Sequence, residues 1–129
     1  MNQEWKDATQ QGNLDRLRLL LENGIDINSK DEHGQTALMN AAHSGQIQLV
    51  HLLIEKGADL DTTAKYNLSA LMLSLIARNV EVAQLLIEAG ADINIRGRRN
   101  FLGKTALILA ESGGHKEIAD LLKEKGATS

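Results

Sequence analysis

Apolar residues recur along this chain at the spacing of a single helix face. Ile47, Val50, Leu53 and Ile54 form one such set, and Val80, Ala83, Leu86 and Ile87 form another. This spacing predicts short amphipathic helices. A different kind of segment precedes each set. Leu38, Ala41 and Ala42 place small apolar side chains on one face of a further short helix. Gly12, Gly45 and Gly114 stand between the two kinds of segment, where a left-handed turn is needed. Thr36, Ser69 and Thr105 suit the N-cap of the first helix in each pair. Gly24, Gly57, Gly90 and Gly126 follow the last apolar residues and end the second helix. After the first three of these comes a short extended stretch, such as Asp26-Ile27-Asn28. It leads into polar residues and Gly34, which predicts a hairpin-like finger.

The pattern is periodic. Gly24-Ile25-Asp26, Gly57-Ala58-Asp59 and Gly90-Ala91-Asp92 recur every 33 residues, and Gly126-Ala127-Thr128 follows after 36. Thr36-Ala37-Leu38, Ser69-Ala70-Leu71 and Thr105-Ala106-Leu107 repeat at the same intervals of 33 and 36. Two independent landmarks with one period mean a stacked array of supersecondary units. The units run over residues of about 1–30, 31–63, 64–96 and 97–129, with three extra residues before the last.

Residues 34–59 read G-x-T-A-L-x-x-A-A-x-x-G-x-x-x-x-V-x-x-L-I-x-x-G-A-D, and on this motif the chain resembles the ankyrin-repeat family. The resemblance spans essentially all 129 residues. It implies an all-α solenoid of four helix-turn-helix units with short hairpin-like fingers. The family's Thr-Pro-Leu-His is replaced by Thr36-Ala37-Leu38-Met39, Ser69-Ala70-Leu71-Met72 and Thr105-Ala106-Leu107-Ile108. Met and Ile cannot make the histidine's hydrogen bonds, so packing is expected to hold these fingers. Arg78 stands in the interhelical glycine position. A left-handed conformation there costs about 1 kcal/mol.

The end repeats depart from the inner ones. Lys116 and Lys123 stand where inner repeats carry Ile47 and Val80, and Ile54 and Ile87. Glu111 stands where they carry Ala42 and Leu75, and Arg16 where they carry Leu49 and Val82. Trp5 takes the place of Leu38. Polar end faces keep a repeat stack from extending itself. The expectation is a complete, monomeric stack.

Composition narrows the chemistry. The chain has no Cys, which excludes disulfide scaffolds, thiol nucleophiles and Cys-ligated zinc. One Trp, one Tyr and one Phe are too few for a stacking platform for single-stranded nucleic acid. No signal-peptide pattern and no long apolar run occurs, so the expected address is the cytoplasm. His33, His43, His51 and His115 do not fall at metal-ligand spacing. No nucleophile elbow, phosphate loop or dinucleotide fingerprint is present. Glu22, Glu55, Glu88 and Glu124 recur at repeat spacing as a solvated surface rather than as acid–base pairs. No catalytic residue, metal or cofactor is expected.

What remains is surface. The resemblance implies a concave face of finger tips and first helices that binds another protein. Matched position by position, its contact places are Glu32, His33, Gln35, His43 and Ser44 in the second repeat. In the third they are Lys65, Tyr66, Leu68, Ile76 and Ala77. In the fourth they are Phe101, Leu102, Lys104, Ser112 and Gly113. The three extra residues fall in the third finger, where Arg96, Arg98, Arg99 and Lys104 cluster with no acidic residue among them. The net charge of the chain is −3, yet residues 64–129 carry 9 basic and 7 acidic residues. The cluster suits an acidic protein patch, because guanidinium forks match carboxylates. A nucleic acid or other polyanion is the alternative. It is disfavoured because four charges make a thin phosphate footprint. Leu20 and the residues up to Asn28, and Leu86 and those up to Asn94, also resemble the pattern around hydroxylated finger asparagines in eukaryotic ankyrin repeats. The expected function is the binding of one protein partner, as an inhibitor, an immunity protein or a scaffold. A nucleic-acid binder and, remotely, an enzyme remain the rivals.

Overall fold

The computed structural model describes residues 1–128. Eight helices follow one another in four pairs. They are α1 (Gln3–Gln11) with α2 (Leu14–Glu22), and α3 (Ala37–Ser44) with α4 (Ile47–Glu55). Then come α5 (Ala70–Ile76) with α6 (Val80–Glu88), and α7 (Ala106–Ser112) with α8 (Lys116–Glu124). The first helices pack in one row, α1 on α3, α3 on α5 and α5 on α7. The second helices make a parallel row, α4 on α6 and α6 on α8. The result is an all-α solenoid.

Local chemistry sets the helix boundaries. The Thr36, Ser69 and Thr105 side chains accept the amides of Met39, Met72 and Ile108, each at 3.3 Å. Each such cap contributes about 1 kcal/mol. Asn2 and Asn13 do the same for α1 and α2. Between paired helices the chain turns through left-handed Gly12, Gly45 and Gly114, with φ of 66°, 74° and 76°. Arg78 adopts φ 66° at the matching place, so the expected strain is present. Asn79, next to it, donates its side-chain amide to the carbonyls of Ala42 and His43 at 2.9 and 3.0 Å. This bond closes the end of α3 from the following repeat.

The core is the seam between the rows. Leu17, Leu38, Leu53, Leu71, Leu86 and Leu122 are fully buried in it. Trp5, 0% exposed, fills the leucine slot of the first pair, and its indole N–H has no hydrogen-bond partner among the described residues. Met39 and Met72 are buried too, in keeping with the expected packing role.

Both outer faces carry charge. Glu4 stands where the other repeats bury Ala37, Ala70 and Ala106, and Arg16 where they bury Leu49, Val82 and Ile118. At the other end Glu111, Lys116 and Lys123 are exposed.

One expectation needs correction. The stretch Asp26-Ile27-Asn28 is a turn rather than extended chain: the Ser29 amide donates to the Asp26 carbonyl at 3.2 Å, and the Asn28 amide to its carboxylate at 2.9 Å. The fingers reverse direction without strands among the described residues. Thr63 opposite Ser69 is the one isolated bridge there.

Candidate interaction surface

Each finger is built by different means. In the first, the Asp31 carboxylate accepts the amides of His33 and Gln35 at 2.9 and 3.0 Å and the Asn40 side chain at 3.1 Å. Desolvation pushes the Asp31 carboxyl up, but the hydrogen bonds from Gln35, Asn40 and His33 outweigh it and hold its pKa below the usual carboxylate value. The finger thus rests on a carboxylate network as well as on packing. Glu32 meets Lys6 of α1 at 2.7 Å. That bond lowers the Glu32 pKa and raises that of Lys6.

The second finger has Ala64 where the first has Asp31, so it lacks that acceptor. It turns instead through two left-handed residues, Tyr66 (φ 64°) and Asn67 (φ 59°). The Asn67 amide donates to the Ala64 carbonyl at 2.9 Å, and the Thr63 hydroxyl to Asn67 Oδ1 at 2.8 Å. Lys65 Nζ stands 5.0 Å from the centre of the Tyr66 ring.

The third finger holds the three extra residues. Gly97 and Lys104 pair, with the Gly97 amide donating at 2.8 Å, around a single 3₁₀ turn at Arg99–Phe101. A Cβ on Gly97 would lie 2.5 Å from the Phe101 carbonyl oxygen, so the close approach requires glycine. The inserted segment is fastened to its neighbour. The Arg98 amide donates to the Tyr66 carbonyl at 2.7 Å, and the Asn67 side-chain amide to the Arg96 carbonyl at 3.0 Å. The rings of Tyr66 and Phe101 lie 5.7 Å apart at 42°. The Arg96 guanidinium donates to the Gly103 carbonyl at 3.3 Å.

A further set of bonds ties finger to finger. Asn28 Oδ1 accepts the Asp59 amide at 2.8 Å, Asp61 Oδ1 the Asp92 amide at 2.7 Å, and Asn94 Oδ1 the Thr128 amide at 3.0 Å. This role was not among the expectations from the sequence. Its signal was there, since Asn28, Asp61 and Asn94 recur at the 33-residue spacing. Asn28 and Asn94, singled out above for their resemblance to hydroxylated positions, are exposed, and each uses its side-chain oxygen in this ladder.

The contact positions inferred from the sequence fall into three groups. Glu32, His33, His43, Ser44, Lys65, Arg96, Arg98, Arg99, Leu102, Lys104 and Ser112 are exposed. Gln35, Tyr66, Ala77, Phe101 and Gly113 are half-buried. Leu68, at 6% exposure, belongs to the core and offers no surface to a partner. The apolar pattern of a finger gave no means to tell its inward side chain from its outward ones. On the inner helix row His43 precedes Ile76, which is 37% exposed. Lys6, Gln10, Asp31, His33, Asn40 and Ser44 line an open groove of about 390 Å³ between α1 and the first finger. Among the described residues, no three His, Asp or Glu side chains are grouped to hold a metal ion. No helix among them is long and apolar enough to cross a membrane.

Comparison with known families matches residues 6–97 to a model of ankyrin repeats in three copies. No curated protein matches the chain.

Proposed function

The chain belongs to the ankyrin-repeat family, a family of non-enzymatic binding modules, and on that premise we propose that it binds one protein partner across its finger tips and inner helix row. The supporting observation is a contrast between copies. Positions that build the stack repeat closely, as in Thr36, Ser69 and Thr105, or Leu38, Leu71 and Leu107, and all six are buried. Several positions that face outward from the first helices and finger tips differ between copies. His43, Ile76 and Ser112 share one register, and so do Glu32 and Lys65. Exposed side chains that differ from copy to copy on one repeated scaffold suit recognition.

The fourth pair, α7 and α8, lies beyond the matched residues but keeps the Thr105 cap and the ladder bond from Asn94. We read residues 1–129 as one four-repeat unit. Its charged outer faces favour a monomer, and its Cys-free composition suits the cytoplasm. Holding an enzyme or toxin inactive and scaffolding a complex are both served by one such surface.

The test is affinity capture from the source cell with the wild-type chain and with His43→Glu combined with Ile76→Glu. Both side chains are exposed, so melting is expected to stay near the wild-type value. A protein retained by the wild type and lost by the variant supports this reading. The same proteins retained by both would remove the inner helix row from it.

A further inference from the structure

Resting on the protein-binding reading above, we propose that the second and third fingers form one preformed platform for an acidic segment of the partner, with an apolar side chain of that segment seated against Leu102. The platform is fixed before any partner arrives. The Arg98–Tyr66 main-chain bond, the Asn67–Arg96 bond and the Tyr66–Phe101 ring contact join the two fingers. A loop already held in place loses less conformational freedom on binding.

Its chemistry is unspent. The side chains of Arg98, Arg99 and Lys104 are exposed and form no ion pair among the described residues. Lys6, Arg16, Arg18 and Lys123, by contrast, each face a carboxylate within their own molecule. Lys65 adds a fourth exposed cation beside Tyr66. Arg96 is left out of the set, because its guanidinium braces the finger on Gly103. Planar guanidinium groups hold carboxylates by paired, charge-assisted hydrogen bonds.

Leu102 decides between kinds of anion. It is 77% exposed and stands between Arg99 and Lys104 in the chain. An apolar tip among cations fits a polypeptide that mixes carboxylates with an apolar side chain. A phosphate backbone has nothing to place there. Asp31 on the first finger, and Glu55 and Glu88 on the outer helices, disfavour an acidic segment at those places.

The test uses the whole chain as bait for a phage-displayed library of short random peptides. Selected peptides are expected to carry net negative charge and an aliphatic or aromatic residue. Their affinity, read by fluorescence polarisation, should fall roughly tenfold or more in Arg98→Gln combined with Arg99→Gln. Leu102→Ala, a change at an exposed tip that the fold does not use, should weaken the same peptides. Arg98→Glu combined with Arg99→Glu as bait should select basic peptides instead. Neutral or basic peptides on the wild type, unchanged affinity in both variants, or no selected peptide would overturn the platform. The wider protein-binding reading is decided separately, by the cell-extract capture with the helix-row variant. Single-stranded polyuridylate bound more tightly than the selected peptides, and lost in the same double variant, would overturn the platform in favour of a polyanion site.

Discussion

The Glu4 carboxylate meets the Arg16 guanidinium at 2.7 Å on the outer face of the first helix pair, in positions that every other repeat fills with buried apolar side chains. Glu111 and Lys123 meet at 3.5 Å on the opposite face, where inner repeats carry Ala42 or Leu75 and Ile54 or Ile87. The two ends thus use the same device. An ion pair replaces a stacking contact. Exposed pairs of this kind add little stability, so their expected effect is on solubility and on self-association.

Lys116→Ile combined with Lys123→Leu should therefore turn the last face into a stacking face without unfolding the chain. Sedimentation velocity at rising concentration is expected to show self-association of the variant and a monomer for the wild type. A variant that stays monomeric would mean that the lysines do not block stacking.

Arg78 carries backbone strain that a glycine would relieve. Arg78→Gly should stabilise the fold by about 0.5–1 kcal/mol, raising the melting temperature by roughly 2–4 °C. Asn79 keeps its bonds to Ala42 and His43 in that variant, since they involve its own side chain. A lower melting temperature would show that the Arg78 side chain has a stabilising contact of its own.

The finger ladder should behave as independent links. Asn28→Ala and Asn94→Ala each leave one backbone amide without its partner and should cost about 1 kcal/mol in urea unfolding. The links are a whole repeat or more apart, so the double variant should lose the sum. Asp61→Asn should be nearly silent, because the amide oxygen can still accept from Asp92.

Acid should loosen the first finger. Asp31 has its pKa lowered from the ordinary 3.8, so it binds protons less readily folded than unfolded. Its stabilisation is complete above that ordinary value and is lost as pH falls through the lower folded one. Urea unfolding of the wild type and of Asp31→Asn should therefore differ most near neutral pH and converge as acid takes the pH below the lowered folded pKa. A difference independent of pH would place the effect of Asp31 elsewhere than in its charge.

Much of the fold was legible because it rests on local rules repeated several times. Thr36, Ser69 and Thr105 announce their caps, and Gly12, Gly45 and Gly114 their turns, from residue type and spacing alone. The fingers were less legible, for two physical reasons. A side chain such as Leu68 points inward because of the turn geometry of Tyr66 and Asn67, and no periodicity encodes that. The bonds that matter most also join different repeats, as Arg98 does with Tyr66, and a main-chain donor leaves no mark on residue choice. The charge of the third finger was plain in the sequence, whereas its fastening to the second was not.

That fastening makes the solenoid unevenly compliant, like a spring with one clamped coil. The ladder ties the first finger to the second through the Asn28–Asp59 bond, while the second and third share the Asp61–Asp92 bond and the bonds through Arg98 and Asn67. Bending of the stack, on opening around a partner, is therefore expected at the joint between the first two fingers, while the basic tips keep their spacing. In native-state hydrogen exchange this predicts a slowly exchanging Arg98 amide and a faster Asp59 amide. Equal protection at the two amides would mean that the molecule flexes as one uniform rod.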